Sequence, residues 1–432
     1  MSNILILAEP VEGHFNPFVP IIKLFVERGH HVKCLTGQVY KNQVESLGAD
    51  FIPLPEQWDA GNHDVYDLFP ALKSLTGLAQ IKFYIKHIMY AQIPDIMAVL
   101  DAVLLDFKAD VIIGDTFMVA GTWLRELGGP PSVRLSVLPL SLPGKDIAPF
   151  GLGLLPGKSF HSKLRNNLLN RLFEKVLFKD VQQHVNELRK SVGLPAYEQY
   201  LFTSAVESPD LVLHTSTPAF EYARAAFPEN FRFIGPIVLA PNNSYQPPSW
   251  WKDIEHTKNH PVILINQGTL AKDYDDLIRP ALEGLKNEPV LVIAVPVEDQ
   301  ELGDIPENAR TAAYVPFGNL LPHVDVIVTN GGFGGVQNAL AHGVPLVIAG
   351  ASEDKMEVAA RVEHAGVGIN LRTKKPTPEA IRAAVLQVLS DPAYKQKASR
   401  LQKDFANYDA PALAVQYVEE LIANCCSSIN PN

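Results

Sequence analysis

Cysteine is scarce: the 432 residues hold three, Cys34 and the adjacent Cys425 and Cys426. Three build neither a disulfide framework nor a CxxC metal site, and such sparse usage points to a reducing compartment. No His/Cys cluster has ligand spacing, so no metal is expected. Basic charge is also short, with 37 Lys and Arg against 47 Asp and Glu, a formal net charge of −10 and no strong basic block. That balance disfavours a partner with a phosphate backbone, and no nucleic acid is expected. Long apolar runs are missing as well: none reaches the length of about 18 residues that a spanning helix needs. The chain opens directly on the strand-type run ILILAEP, which leaves no room for a charged leader and an apolar signal segment. The expectation is a cytoplasmic protein with no membrane span.

What is present is apolar content, 47% of the chain, enough for a large core and, at this length, two or more domains. Strand-type runs alternate with helical patterns through the first half. Strand Ile4–Ala8 precedes helix Phe18–Glu27, strand His31–Thr36, a helix from Tyr40 and strand Phe51–Leu54; helix Pro94–Phe107, strand Asp110–Gly114 and strand Leu211–His214 follow. Short apolar runs of this length, separated by helical patterns, predict parallel strands covered on both faces. Pro241–Trp251, reading PNNSYQPPSWW, has linker composition. The alternation then restarts with strands Val262–Gln267, Val290–Val295, Thr311–Val315, Val326–Val328 and Pro345–Ala349, helix Asp275–Lys286 and helix Lys355–Ala365. The predicted organisation is α/β, with two facing doubly wound Rossmann-like domains over residues 1–240 and 252–410, a linker at 241–251, and a C-terminal helix and tail over 411–432. Such an arrangement puts a cleft at the carboxyl ends of both sheets.

Three stretches break the alternation. From Glu56 to Tyr90 the pattern loosens and Trp58, Tyr66, Phe69, Phe83, Tyr84 and Tyr90 accumulate, either as a wall for an apolar ligand or as core under loops. Pro139–Ser159 is a long loop whose ending Pro156-Gly157-Lys158-Ser159 imitates a P-loop, but Leu152 stands where the opening glycine belongs. Lys163–Lys190 is a basic helical region, read first as a solvated amphipathic face, with membrane contact as the lesser alternative.

Chemistry concentrates at strand ends. In Val326–Leu340, VIVTNGGFGGVQNAL, a strand meets a glycine turn and then a helix N-terminus. Glycines let the backbone approach a bound group, and the unpaired N–H groups with the positive end of the helix dipole favour an anion, a phosphate above all. A purely structural turn is the other reading. Gly268-Thr269 is a second turn able to offer backbone N–H and a hydroxyl. Glu353 and Asp354 follow about twenty positions after the glycines, as in a dinucleotide fingerprint, but the third glycine of that pattern falls on Gln337. In the first domain His14 follows the first strand and Asp115 ends another, so an imidazole with a carboxylate behind it could take a proton from a hydroxyl. Asp273-Tyr274-Asp275 stands at a helix entry, where acids cap and do not need a metal.

Together these residues resemble the nucleotide-sugar-dependent glycosyltransferases of the GT-B fold, the UGT-like, macrolide-type group that glycosylates small molecules. The resemblance rests on the Gly-His-Phe-Asn-Pro turn with His14, the acid 101 positions on (115 − 14), Gly268-Thr269, and TNGGFGGVQNALAHGVPLV with the later EDK. It spans nearly the whole chain and is weakest across the aromatic stretch. It implies metal-independent transfer with inversion at the anomeric centre, His14 as base and Asp115 orienting it. It also implies a donor site made by Gly268, Thr269, Tyr314, Val315, Asn330, Gly332, Gly334, Gly335, Val336, Asn338, Asp354 and Lys355. Tyr314 stands for the tryptophan that stacks on uracil, and Asp354 with Lys355 for the pair that reads sugar hydroxyls. Phe15, Trp58, Phe83, Tyr84 and Phe117 are the residues expected against the acceptor. Asn330 replaces a histidine of the pattern, Asn338 a ribose-binding glutamate, Phe317 a glutamine and Lys355 another glutamine. The implied co-substrate is UDP-glucose, with a dTDP-sugar as the other nucleotide and no further cofactor. The acceptor is a hydroxylated apolar small molecule such as a phenol or flavonoid, and the protein a monomer or homodimer. The rivals are a nucleotide-sugar epimerase or dehydrogenase on the same scaffold, and a non-catalytic two-domain sugar or nucleotide binding protein.

Overall fold

Parallel strands that carry apolar residues on both faces can be satisfied only by helices above and below, and two such layers form here. The computed structural model describes residues 1–59, 61, 68–75, 77–256, 260–268, 273–296, 302–351 and 354–429. The first sheet holds β1 (Asn3–Leu7), β2 (His31–Thr36), β3 (Asp50–Pro53), β4 (Val111–Gly114), β5 (Ser132–Ser136), β6 (Leu211–His214) and β7 (Phe231–Phe233). Their order is β3-β2-β1-β4-β5-β6-β7. The second sheet holds β8 (Val262–Asn266), β9 (Leu291–Val295), β10 (Ala309–Thr311), β11 (Val326–Thr329), β12 (Leu346–Ile348) and β13 (Gly368–Asn370), in the order β10-β9-β8-β11-β12-β13. The ladders are parallel in both.

The strand orders locate the functional crevices. In each sheet the chain works outward in one direction and then returns to the centre to build the other side. The switch lies between β1 and β4 in the first sheet and between β8 and β11 in the second. Ligands of doubly wound sheets bind outside the carboxyl ends of the strands at such a point, where helices leave in opposite directions and open a gap. His14 and Asp115 follow β1 and β4, while Gly268 and the glycine turn follow β8 and β11.

Several elements differ from the sequence expectations. The strand expected over Thr311–Val315 is Ala309–Thr311, so Tyr314 and Val315 lie beyond it. The helix expected from Asp275 opens as a 3₁₀ turn, Tyr274–Asp276, with the Asp273 side chain accepting the Asp275 N–H; the α-helix is Ile278–Leu285. Asp273 thus caps, as its position suggested. The loosely patterned stretch ends in helix: Gly77–Asp106 is a helical stretch of 30 residues, long and apolar enough to cross a membrane. That corrects the expectation from the apolar runs, which Lys82, Lys86 and Asp95 interrupt in sequence. Ile85, Met89, Tyr90, Ile93, Ile96 and Leu100 of this stretch are buried against Leu5, Ile112 and Trp123, the packing of a core helix. The last helix, Ala410–Ile429, returns to the first domain, where Ala414, Val415 and Val418 pack with Ile21, Ile22 and Phe25 of helix Phe18–Glu27.

Candidate active site

His14 lies in the short helix Glu12–Phe15, directly after β1, and Asp115 directly after β4. Because Leu7 pairs with Gly114 across the ladder, the two side chains leave adjacent strand ends, and His14 Nδ1 lies 3.0 Å from Asp115 Oδ2. Asp115 is almost completely buried, and four groups surround its carboxylate. Oδ2 accepts the Glu9 N–H at 3.0 Å as well as His14, and Oδ1 accepts the N–H groups of Phe117 at 2.6 Å and Met118 at 3.0 Å. Burial alone would raise its pKa, but the His14 charge and these hydrogen bonds outweigh that and hold it below the usual carboxylate range. An ionised Asp115 only accepts, so His14 Nδ1 carries the proton and Nε2 keeps its lone pair. Nε2 makes no hydrogen bond among the described residues. Burial would lower the His14 pKa; the charge and hydrogen bond of Asp115, then the charges of Glu9 and Asp354, raise it above the ordinary value. Asp354 belongs to the second domain, so the two halves of the cleft converge on this imidazole.

The glycine turn follows the second sheet's switch. Gly331 adopts φ 91°, which only glycine takes without strain, and the chain enters helix Phe333–Ala341 with Gly332 as its N-cap. The N–H groups of Phe333, Gly334 and Gly335 meet no acceptor among the described residues, the first helical bond being that of Val336 N–H to Gly332 C=O. A side chain added at Gly332 or Gly334 would meet no described atom within 4 Å, so open space lies over this helix end. Backbone donors, dipole and open space together make an anion site. Asp354 and Lys355 stand beside it at the start of helix Lys355–Ala365, and Tyr314 is 67% exposed after β10.

Other expected residues are placed differently. Phe15 is fully buried in the first core and stacks on Tyr40 at 4.0 Å between ring centroids, so it supports the turn and does not touch an acceptor. Phe117 stacks on His14 at 4.5 Å and has Tyr84 at 6.0 Å, so these two aromatics border the imidazole. Trp58 and Phe83 form a separate cluster through Phe69, each at 6.3 Å from it, and the Trp58 indole N–H donates to Asp95 at 2.7 Å. Val315 and Val336 are buried in the second core, where only their backbones remain to face a ligand. The Asn330 amide donates to the Gln267 carbonyl, so that group is engaged within the protein, and its Oδ1 is buried with no partner among the described residues. Asn338 is taken up entirely inside the fold: it accepts the Leu239 N–H at 2.9 Å and donates to the carbonyls of Gly334 at 2.9 Å and Ile237 at 3.3 Å. It ties the segment at Ile237 and Leu239 to the helix Phe333–Ala341, so its amide is engaged inside the fold and not held out for a ribose. Thr269 and Glu353 lie outside the described residues.

One neighbour of the pair was not anticipated. Glu9, two residues past β1, is buried and takes a hydrogen bond from Gln92 Nε2 at 3.2 Å. Burial, then the Asp115 charge, push its carboxyl up to about 7 against the smaller opposing effects of Gln92 and His14. Its position at a strand end, in the Glu-Pro step before the His14 turn, was the available signal. Among the described residues no group of three or more His, Cys, Asp or Glu side chains is placed to hold a metal ion.

Residues 282–421 match the family model of the erythromycin biosynthesis protein CIII-like C-terminal domain. Over 422 residues the chain is 39% identical to 4'-demethylrebeccamycin synthase of Lentzea aerocolonigenes, covering 98% of this chain and 100% of that one. It is 35% identical over 441 residues to UDP-glycosyltransferase 2 of Phaeomoniella chlamydospora, with 98% and 96% covered. Its fold matches that of the calicheamicin glycosyltransferase CalG4, with a TM-score of 0.74 at 21% identity and 98% of each chain covered. With its two parallel-sheet domains and full-length relatives, the chain belongs to the UGT-like, GT-B family of nucleotide-sugar glycosyltransferases and is an enzyme that transfers a sugar.

Proposed function

We propose that the enzyme is an inverting, metal-independent O-glycosyltransferase that moves glucose from UDP-glucose to a hydroxyl of an apolar small molecule, phenols and flavonoids first. The acceptor O–H gives its proton to His14 Nε2 as its oxygen attacks the anomeric carbon. The bond from that carbon to the diphosphate breaks on the opposite face, and UDP leaves with the bonding pair. Asp115 stabilises the imidazolium that forms, and the first-turn N–H groups of helix Phe333–Ala341 receive the charge on the diphosphate. Tyr314 stacks on the base, and Asp354 with Lys355 hold the sugar. Phe117 and Tyr84 border the acceptor. The observation that carries this reading is His14 Nε2, which has no hydrogen bond among the described residues, on a ring fixed by Asp115 and within the field of Asp354 from the donor side. The name of the Phaeomoniella relative favours a uridine donor. The buried free thiol of Cys34 supports a cytoplasmic setting.

The experiment is mass-spectrometric transfer with UDP-glucose, UDP-galactose, UDP-N-acetylglucosamine and dTDP-sugars against phenols, flavonoids, macrolides and sterols. A hexose adduct on a phenolic hydroxyl with UDP-glucose is the expected product, with β linkage from the α donor. Transfer only from dTDP-sugars, or retention of configuration, would overturn the donor or the mechanism respectively.

A further inference from the structure

Phe160, Leu164, Leu168, Leu172 and Val176 recur at every fourth position and are each 43 to 75% exposed. They lie on the helix Phe160–Leu172 and its continuation Phe173–Leu177, a wider helical turn that ends at Phe178. Side chains four apart form one ridge along a helix. A ridge of five large apolar groups in water is not a core face: the packed side of this helix is carried instead by Asn166, Phe173 and Phe178. The ridge is well anchored from behind. Ser159 caps the helix, Asn166 Nδ2 donates to the Asp146 carbonyl at 2.9 Å, and Asn170 Nδ2 to the Ile147 carbonyl at 2.8 Å.

Charge decides what covers it. Between Phe160 and Lys179 the chain has Lys163, Arg165, Arg171, Lys175 and Lys179 against Glu174 alone, five positive and one negative, a local +4 in a protein of net −10. Lys163 pairs with Asp146 at 2.9 Å and Lys175 with Glu174 at 2.6 Å, whereas Arg165, Arg171 and Lys179 have no acidic partner among the described residues. A second copy docking by two-fold symmetry would set this cluster against itself. An anionic lipid surface satisfies both features, taking the apolar ridge into the acyl boundary and the basic flanks among headgroups.

We propose that the exposed ridge Phe160–Val176 docks the enzyme on an anionic membrane surface. The loop bonded to Asn166 and Asn170 continues to Gly151 and Gly153, whose N–H groups donate to Glu357 Oε1 at 2.9 Å each. Glu357 lies in the first turn of the helix that starts at Lys355, so docking holds the lipid surface against the same loop that closes on the donor side of the cleft. An apolar acceptor dissolved in the bilayer would then be delivered beside it.

The test is sedimentation of the full chain with phosphatidylcholine vesicles, with and without phosphatidylglycerol. Binding to the phosphatidylglycerol vesicles alone, weakened by salt, is expected. The pair Leu168→Ser/Val176→Ser should cut the bound fraction by roughly tenfold or more, as lost apolar insertion requires. The pair Arg171→Glu/Lys179→Glu should do the same through charge. Both pairs should leave the melting temperature and transfer to a water-soluble acceptor unchanged, since all four residues are exposed and outside the cleft. Failure of the wild type to bind anionic vesicles at low salt would overturn the proposal, as would binding that neither pair alters. A dimer in ultracentrifugation that Leu168→Ser/Val176→Ser dissociates would assign the ridge to a second copy instead. None of these outcomes touches the transfer assay, so the surface and the reaction are judged separately.

Discussion

Two buried histidines of the first sheet each face a carboxylate. His14, after β1, lies 3.0 Å from Asp115; His214, the last residue of β6, lies 3.2 Å from Glu221. Both pairs stand at carboxyl ends of strands, the region where these folds place chemistry. They differ in what remains free. His214 has its other nitrogen 3.0 Å from Ser136 Oγ and is ringed by Phe231, Phe233 and Phe333, while Glu221 also holds Arg361 at 2.9 Å. Both ring nitrogens of His214 are engaged within the first domain, and Glu221 fastens that domain to the other: Arg361 of the second domain reaches Glu221 and the Leu140 carbonyl of the first. His14 keeps one nitrogen without a hydrogen bond among the described residues. A histidine beside a carboxylate is therefore a proton acceptor or a fastener according to whether its second nitrogen is occupied, and strand-end position alone does not distinguish them.

Substitution should separate the two pairs most sharply. His14→Ala should lower the transfer rate by roughly 10²–10⁴-fold at a smaller stability cost, since the N–H groups of Glu9, Phe117 and Met118 still hold Asp115. His214→Ala should do the reverse, costing about 1–3 kcal/mol of stability through the unsatisfied Glu221 and Ser136, with kcat of the folded enzyme within a few-fold of wild type. Steady-state kinetics beside denaturant unfolding reads both. Arg361→Met strands two buried carboxylates, Glu221 and Glu357, and should cost about 3–5 kcal/mol in the same unfolding measurement.

Acid should act on the two pairs differently as well. The Arg361 and His214 partners outweigh burial and depress the Glu221 carboxyl to about 2, below its unfolded value. The folded state then binds that proton less readily than the unfolded state. Its contribution is complete above the ordinary carboxylate range and is lost as pH falls toward 2, so unfolding free energy measured across acidic pH should decline over that window. At the His14 pair the proposed role makes the response catalytic: a base must be neutral to accept a proton and the His14 pKa is raised, so kcat/KM should climb with pH and level off only above about 6.5.

The smallest effect concerns Glu9. Its charge helps raise the His14 pKa, so Glu9→Gln should move the acidic limb of the kcat/KM profile to lower pH by a fraction of a unit, without large loss of rate at the plateau. An unchanged limb would mean that Glu9 stays protonated throughout and supports the turn only through Gln92.

Much of the fold was legible because its signal is local. The apolar runs Leu211–Leu213 and Val326–Val328 lie in strands, and the glycine spacing after Thr329 gives the turn and helix that the dihedrals require. His14 and Asp115 could be paired across 101 positions because they follow β1 and β4, strands that a doubly wound order sets side by side. Packing-dependent facts were out of reach. Phe15 and Phe117 are alike in sequence, each within two positions of a candidate catalytic residue, yet one faces the core and the other His14. Asn338 stands where a ribose ligand was expected, but it turns toward Leu239, a contact across 99 positions that no periodicity carries. The return of Ala410–Ile429 to the first domain is likewise decided by which apolar face lacks a cover, not by the helix itself.

The measurement that bears most directly on the role of His14 is single-turnover transfer by His14→Ala, run beside calorimetric titration of the same variant with the nucleotide sugar. Donor affinity close to wild type with a transfer rate reduced by about 10²-fold or more is the expected result. A variant that transfers at the wild-type rate, or one that loses rate only as far as it loses donor binding, would contradict the assignment of His14 as the base.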